Sequence, residues 1–239
     1  MGRAHEVRKA SMEKTAGQKS KLYGMYAKEI YQAAKNGGTT IDGNPALKSV
    51  IDRAKRDQIP GDVISRSIDK VNKGITEDYV VNEYELFGPG GSNAIVKCLT
   101  DNVNRSLGDL KTVCNKTGYK LTTKGSVSFM YETFSVLGFK QKNEDELMDL
   151  LFSNDIDVSD IEQSDNLSII YGEVTDYNKI KTVLENNYKD IEFEIDEISK
   201  FSKDKVVLNK EDKEIYDKFI NMTEDLEDVS NIYTNVEVN

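Results

Sequence analysis

Apolar residues recur at helical spacing along the first third of the chain, and strand-like alternation takes over only after residue 78. Leu22, Met25, Tyr26, Ile30 and Ala33 share one side of a 3.6-residue repeat, which predicts a helix ending near Gly37-Gly38. Asn44-Pro45 reads as an N-cap followed by proline at the first helical position. Leu47, Val50, Ile51 and Ala54 then form the stripe of a second helix, stopped before Pro60. Val63, Ile64, Ile68 and Val71 mark a third, closed by Gly74. Three short helices with narrow apolar stripes predict a small bundle. Residues 2–20, anchored mainly by Val7 and Met12, are expected to stay mobile until something binds them. Residues 73–78 are poor in apolar side chains and read as a hinge.

Beyond the hinge, residues 80–87 and 93–99 are rich in β-branched and aromatic residues, with Gly88-Pro89-Gly90-Gly91 as the turn between them. Asp101-Asn102 opens a helix over 103–116, with Val103, Leu107, Leu110, Val113 and Cys114 on one face. Gly118 stands where a left-handed cap belongs, and Gly125-Ser126 leads into a predicted strand over 127–131. From about Thr133 a second α/β pattern begins. It reads as a helix over 144–152, strands over 156–162 and 167–174, a helix over 177–187 capped by Asp176, and an alternating strand over 191–198. The order β-α-β-β-α-β is ferredoxin-like. A helix over 210–223 and a strand over 231–238 complete an α+β chain.

With 239 residues there is room for two or three small domains, and 38% hydrophobic with 31% charged residues suits modest cores. The longest apolar stretches, such as 167–171, are far too short to span a bilayer. The basic amino terminus lacks an apolar segment of the secretory type, so a cytoplasmic protein is expected. The net charge of −10 argues at first against a nucleic-acid partner, but its distribution along the chain argues for one. Residues 1–75 hold 15 Lys and Arg against 8 Asp and Glu, residues 76–139 hold 6 against 7, and residues 140–239 hold 11 against 27. One end is suited to phosphate while the other repels it.

Catalytic chemistry has little to stand on. His5 is the only histidine and no cysteine or carboxylate constellation reaches it by spacing; it reads as exposed or phosphate-adjacent. Cys98 in a strand and Cys114 on an apolar helix face read as small buried hydrophobes, with neither the count nor the spacing of a zinc site. No lysine and Ser/Thr follow the Gly88–Gly91 turn, so it is not a phosphate-binding loop. The acidic runs at 143–146 and 223–228 lack calcium-loop spacing and read as solvated caps and faces. No enzyme, metal or cofactor is expected.

Cations in the first third fit phosphate contacts better. Arg3, Arg8, Lys9, Lys14, Lys19 and Lys21 are spaced along the first twenty-one residues. Lys28 and Lys35 share a helix side, and Arg53, Lys55 and Arg56 cluster at a helix end. Such contacts give salt-dependent affinity and little sequence information, and no base-reading signature accompanies them. Tyr23, Tyr26 and Tyr31 read first as core and second as base-stacking residues. Asp101 or Asn102 is expected to cap the helix with Arg105 paired nearby, the competing reading placing Arg105 and the Gly-rich turn on a surface that touches RNA or ribosomal protein.

The segments FGPGG (87–91), LTDNVNR (99–105), NKTG (115–118) and KGSVSFMY (124–131) resemble, in order and spacing, the fingerprint of the YebC/PmpR family. The mitochondrial translational activator of cytochrome oxidase subunit I belongs to the same family. Further resemblance lies in MGRAHEVRKASMEKT, KEIYQAAKNGG, NPALKSVIDRAK and QIPGDVISRSIDK, and the opening MGRA looks like the family's second branch. The resemblance implies three domains: a basic helical domain over 1–75, a discontinuous α+β domain over 80–132 plus 203–239, and an acidic ferredoxin-like domain inserted over 133–202. It implies a monomeric, DNA-binding transcriptional regulator, or alternatively a ribosome-associated factor for difficult stretches such as consecutive prolines. An adaptor that binds a basic protein is a third reading. In the first two, DNA or ribosomal RNA is the partner of the amino-terminal domain.

Overall fold

The structure, a computed structural model, describes Arg3 and residues 19–140, 142–164 and 166–237. The fold is α+β as expected, amino-terminal helices followed by two four-stranded sheets. The chain divides into two compact units. One holds residues 19–132 and 201–239; the other holds 133–200 together with Arg3.

The first unit opens with helices α1 (Lys19–Gly37), α2 (Pro45–Arg56) and α3 (Gly61–Asn72). Leu22, Tyr26, Ile30, Leu47, Ile51 and Ile64 make their shared core. Asn44 ties the bundle together: its Oδ1 accepts the Leu47 N–H at 3.0 Å, and its Nδ2 donates to the carbonyls of Ala33 and Gly38 at 2.9 and 2.8 Å. Next come β1 (Val80–Phe87), β2 (Asn93–Thr100), α4 (Val103–Thr117) and the short β3 (Lys120–Leu121). Gly118, at φ 74°, caps α4 in the left-handed conformation anticipated for it.

The second unit carries all but the first two residues of β4 (Tyr131–Lys140), then α5 (Glu144–Phe152), β5 (Val158–Ser164), β6 (Leu167–Gly172), α6 (Tyr177–Asn187) and all but the last two residues of β7 (Phe193–Ser202). The spatial order β5-β6-β4-β7 is that of a ferredoxin-like sheet. Leu137, Phe139, Ile161, Ile170 and Phe193 pack there with Leu147 and Leu151 of α5 and Ile180 and Leu184 of α6. The chain then returns to the first unit with α7 (Lys210–Glu224) and β8 (Val229–Thr234). These complete a sheet of order β3-β1-β2-β8, whose Leu86, Ala94, Val96 and Cys98 pack against Leu110, Val113, Tyr216 and Phe219.

Four local expectations are corrected. Residues 127–130 are not a strand: a 3-10 turn spans Ser128–Met130, and the strand starts only at Tyr131. Its cause is Glu85, which accepts the backbone N–H groups of Gly125, Val127 and Ser128 and so withholds them from any ladder. The last strand is Val229–Thr234, two residues earlier than its alternation suggests, with Val236 bridging to Val206 instead. Asp176 makes no side-chain cap, because a 3-10 turn (Val174–Asp176) feeds α6 directly. The segment 73–78 is fastened to α1: Tyr31 donates its hydroxyl to the Ile75 carbonyl and accepts the Glu77 N–H, both at 2.8 Å. The expected mobility of residues 2–20 falls outside the described residues except at Arg3, Lys19 and Ser20, the last two within or at the start of α1.

Candidate nucleic-acid interface

Thr100 ends β2, Asn102 caps α4 by accepting the Arg105 N–H at 3.1 Å, and Arg105 and Ser106 occupy the first turn that follows. This tight strand-to-helix junction aims three side chains at Asp228, just ahead of β8. Thr100 Oγ1 and Ser106 Oγ each donate to its carboxylate at 2.8 Å, and Arg105 binds it through Nη2 at 2.8 Å and Nε at 3.1 Å. Lys28 of α1 donates to the other oxygen at 2.8 Å. The Asp228 side chain is 4% exposed. Burial by itself raises its pKa, but the bonds from Lys28, Ser106, Arg105 and Thr100 outweigh it and hold the acid at about 2. Arg105 also reaches Asp101 at 2.8 Å. Asp228 was the unrecognised member of the group, hidden in an acidic run that reads as solvated.

Several other expected phosphate contacts are likewise engaged within the first unit. Lys21 donates to the Glu224 carbonyl, and its partial burial lowers its pKa against the pull of Glu224 and Asp225. Lys35 holds Asp78 at 2.5 Å and the Glu77 carbonyl at 3.1 Å, its pKa raised by the bond to Asp78. Arg53 pairs with Glu29 at 2.8 Å. Lys70 and the Tyr79 hydroxyl both reach Glu77, completing the attachment of residues 73–79 to the bundle. A cleft of about 70 Å³ lies there between Tyr31, Gln32, Lys35, Asn36, Glu77 and Tyr79, room for a water or two.

Lys19, Lys55 and Arg56 are exposed. Lys55 and Arg56 sit in the last turn of α2, where they also offset the negative end of the helix dipole. Arg3 belongs to the second unit, 3.1 Å from Asp160 and stacked over the rings of Phe134 and Tyr171 at 5.4 and 5.0 Å. Arg8, Lys9, Lys14 and His5 lie outside the described residues. Tyr26 and Tyr31 are buried, the core reading of the tyrosines, and Tyr23 packs on the same core. Cys98 and Cys114 are buried too, and burial pushes the Cys98 thiol up to about 12.

A second constructed feature is the loop over Glu85. This carboxylate is 5% exposed, and despite burial its pKa is lowered by the three backbone donors of the loop. Gly125 holds φ +93°, a conformation that favours glycine and lets the loop close over the acid. Sequence reading missed Glu85, because β1 also carries Asn82 and Glu83 and no local pattern sets the buried acid apart from them.

Residues 3–74 match the TACO1/YebC protein N-terminal domain, and residues 79–236 match the TACO1/YebC second and third domain. A probable transcriptional regulatory protein of Alcanivorax borkumensis is 42% identical over 238 residues, covering all of both chains. One from a Marinomonas species is 44% identical, covering 99% of this chain and 100% of that one. The crystal structure of a conserved hypothetical protein from Aquifex aeolicus superposes with a TM-score of 0.77 at 27% identity, covering 94% of this chain and 93% of that one. Nearly end to end, the chain belongs to the TACO1/YebC family, the YebC/PmpR family that its sequence resembles.

Proposed function

We propose that this protein is a cytoplasmic, non-enzymatic regulator of gene expression that contacts nucleic acid through its amino-terminal helices. The observation that carries the reading is the exposed Lys55–Arg56 end of α2 on a bundle in which Lys21, Lys28, Lys35 and Arg53 brace the fold. Residues 19–75 hold 11 basic side chains against 6 acidic ones, so the bundle stays positive as a whole. Residues 133–200 hold 6 against 17 and steer that part of the chain away from phosphate. The names of the relatives point to regulation of transcription.

Competition sedimentation tests the reading. The purified chain is mixed with ribosomes and excess random duplex DNA at near-physiological salt. Transfer to the duplex supports a DNA-binding regulator. Retention on ribosomes moves the same basic module to a translational role. Binding to neither overturns the nucleic-acid reading.

A further inference from the structure

The sheet of the first unit spends one face on its core and leaves part of the other open. Tyr84, Leu86, Ala94 and Val96 meet α4 and α7, so Glu83, Glu85 and Phe87 alternate onto the opposite face. Register sets Glu85 against Ile95, and Phe87 against both Asn93 and Lys120. Directly opposed residues of an antiparallel pair project to the same side. Val127, Tyr131 and Tyr233 cover Ile95 and close the middle of this face.

At Phe87, one rung nearer the Gly88–Gly91 turn, the cover stops. Asn93 Oδ1 accepts the Tyr131 hydroxyl at 2.7 Å and its Nδ2 meets Met130 Sδ at 3.6 Å, which brings the 3-10 turn to the Phe87–Asn93 rung. Phe129 in that turn is 64% exposed and Phe87 is 40% exposed. Lys120 lies opposite Phe87, Lys124 is in the loop over Glu85, and the Lys203 N–H binds the Met130 carbonyl at 2.8 Å. All three lysines are exposed. Glu83, the other acid on this face, sits opposite Lys97.

Resting on the nucleic-acid reading, we propose that this corner binds an unpaired nucleobase of a single strand, stacked on Phe129, with Lys120, Lys124 and Lys203 meeting the adjoining phosphates. Two features favour this occupant. Exposed aromatic rings among cations match the flat face and charged backbone of an unstacked nucleotide. The loop is also fixed beforehand: the Glu85 carboxylate takes three of its amides, so little ordering remains to be done on binding. The bundle cations, at another place on the unit, supply the general phosphate affinity.

The test uses the full chain and a single-stranded RNA oligonucleotide carrying 2-aminopurine, whose fluorescence falls when the base stacks. Quenching on binding, a loss of affinity of about tenfold with loss of quenching in Phe129→Ala, and recovery of both in Phe129→Tyr are expected. Lys55→Ala/Arg56→Ala should weaken binding and flatten its salt dependence while leaving the quench of the bound complex intact. Because Phe129 is exposed, matching melting curves will show that its variants fold. Unquenched binding, or quenching that survives Phe129→Ala, overturns the stacking site. If the chain ignores the single strand but binds duplex DNA, the stacking site falls and the proposed function stands. Failure to bind either, with no retention on ribosomes, removes both.

Discussion

Lys28 and Asp228 are separated by 200 residues in the chain and by 2.8 Å in space. Their pair joins the first helix to the segment entering the last strand, with Arg105, Thr100 and Ser106 filling the other lone pairs of the acid. Removing one partner of a buried, hydrogen-bonded ion pair leaves an uncompensated charge. Asp228→Ala strands the buried Lys28, leaves Arg105 to Asp101 alone, and should cost about 3–5 kcal/mol, read as a fall in the urea midpoint. Lys28→Ala should cost less, since Arg105 still neutralises the acid. A Lys28→Ala chain as stable as the parent would remove the pair as a brace.

Acid titration isolates the same carboxylate. Its pKa of about 2 lies below the ordinary 3.8, so the folded state prefers the ionised form. The resulting stability, about 2 kcal/mol, is present in full above pH 3.8 and drains away as pH falls toward 2. The parent should therefore lose stability more steeply between those limits than Asp228→Asn. Parallel stability curves for the two proteins across that window would exclude Asp228 as the source.

Much of this fold could be read locally. Asn44 before Pro45, Asn102 before α4 and Gly118 after it act within three or four residues of themselves, and those caps stand where composition places them. The β-α-β-β-α-β order was legible because each element carries its own period. What escaped depends on partners far away in sequence. Val127 to Tyr131 has strand composition, yet Glu85, some forty residues earlier, takes its amides. Lys28 and Lys35 share a helix side and Arg53 sits in a basic helix end, yet each has a carboxylate beside it that no local pattern announces.

Gly88 shows how tightly the FGPGG turn is set. A Cβ there would run into Tyr119 and Ser92, whose hydroxyls are 2.9 Å apart. Tyr119 has little room to retreat, because its ring stacks on Phe219 at 3.8 Å and 8°. Gly88→Ala should destabilise the first unit by about 1–3 kcal/mol, the range for overpacking a filled core. A chain with Gly88→Ala that melts with the parent would show that the ring pair yields.

The buried thiols offer a readout that does not require unfolding the whole population at once. Burial first, then Asp228 nearby, raises the Cys98 pKa to about 12, and burial raises that of Cys114 as well. At pH 8 both are therefore thiols and inaccessible, so an aromatic disulfide reagent should label them slowly, at a rate set by opening of the sheet–helix core. In Asp228→Ala, the loss of the brace beside Cys98 should speed labelling by about tenfold for each 1.4 kcal/mol of stability lost, while Cys98→Ser identifies which thiol responds. Rapid labelling of the parent chain would mean that one thiol is exposed in solution and would contradict the packing of β2 against α4 and α7.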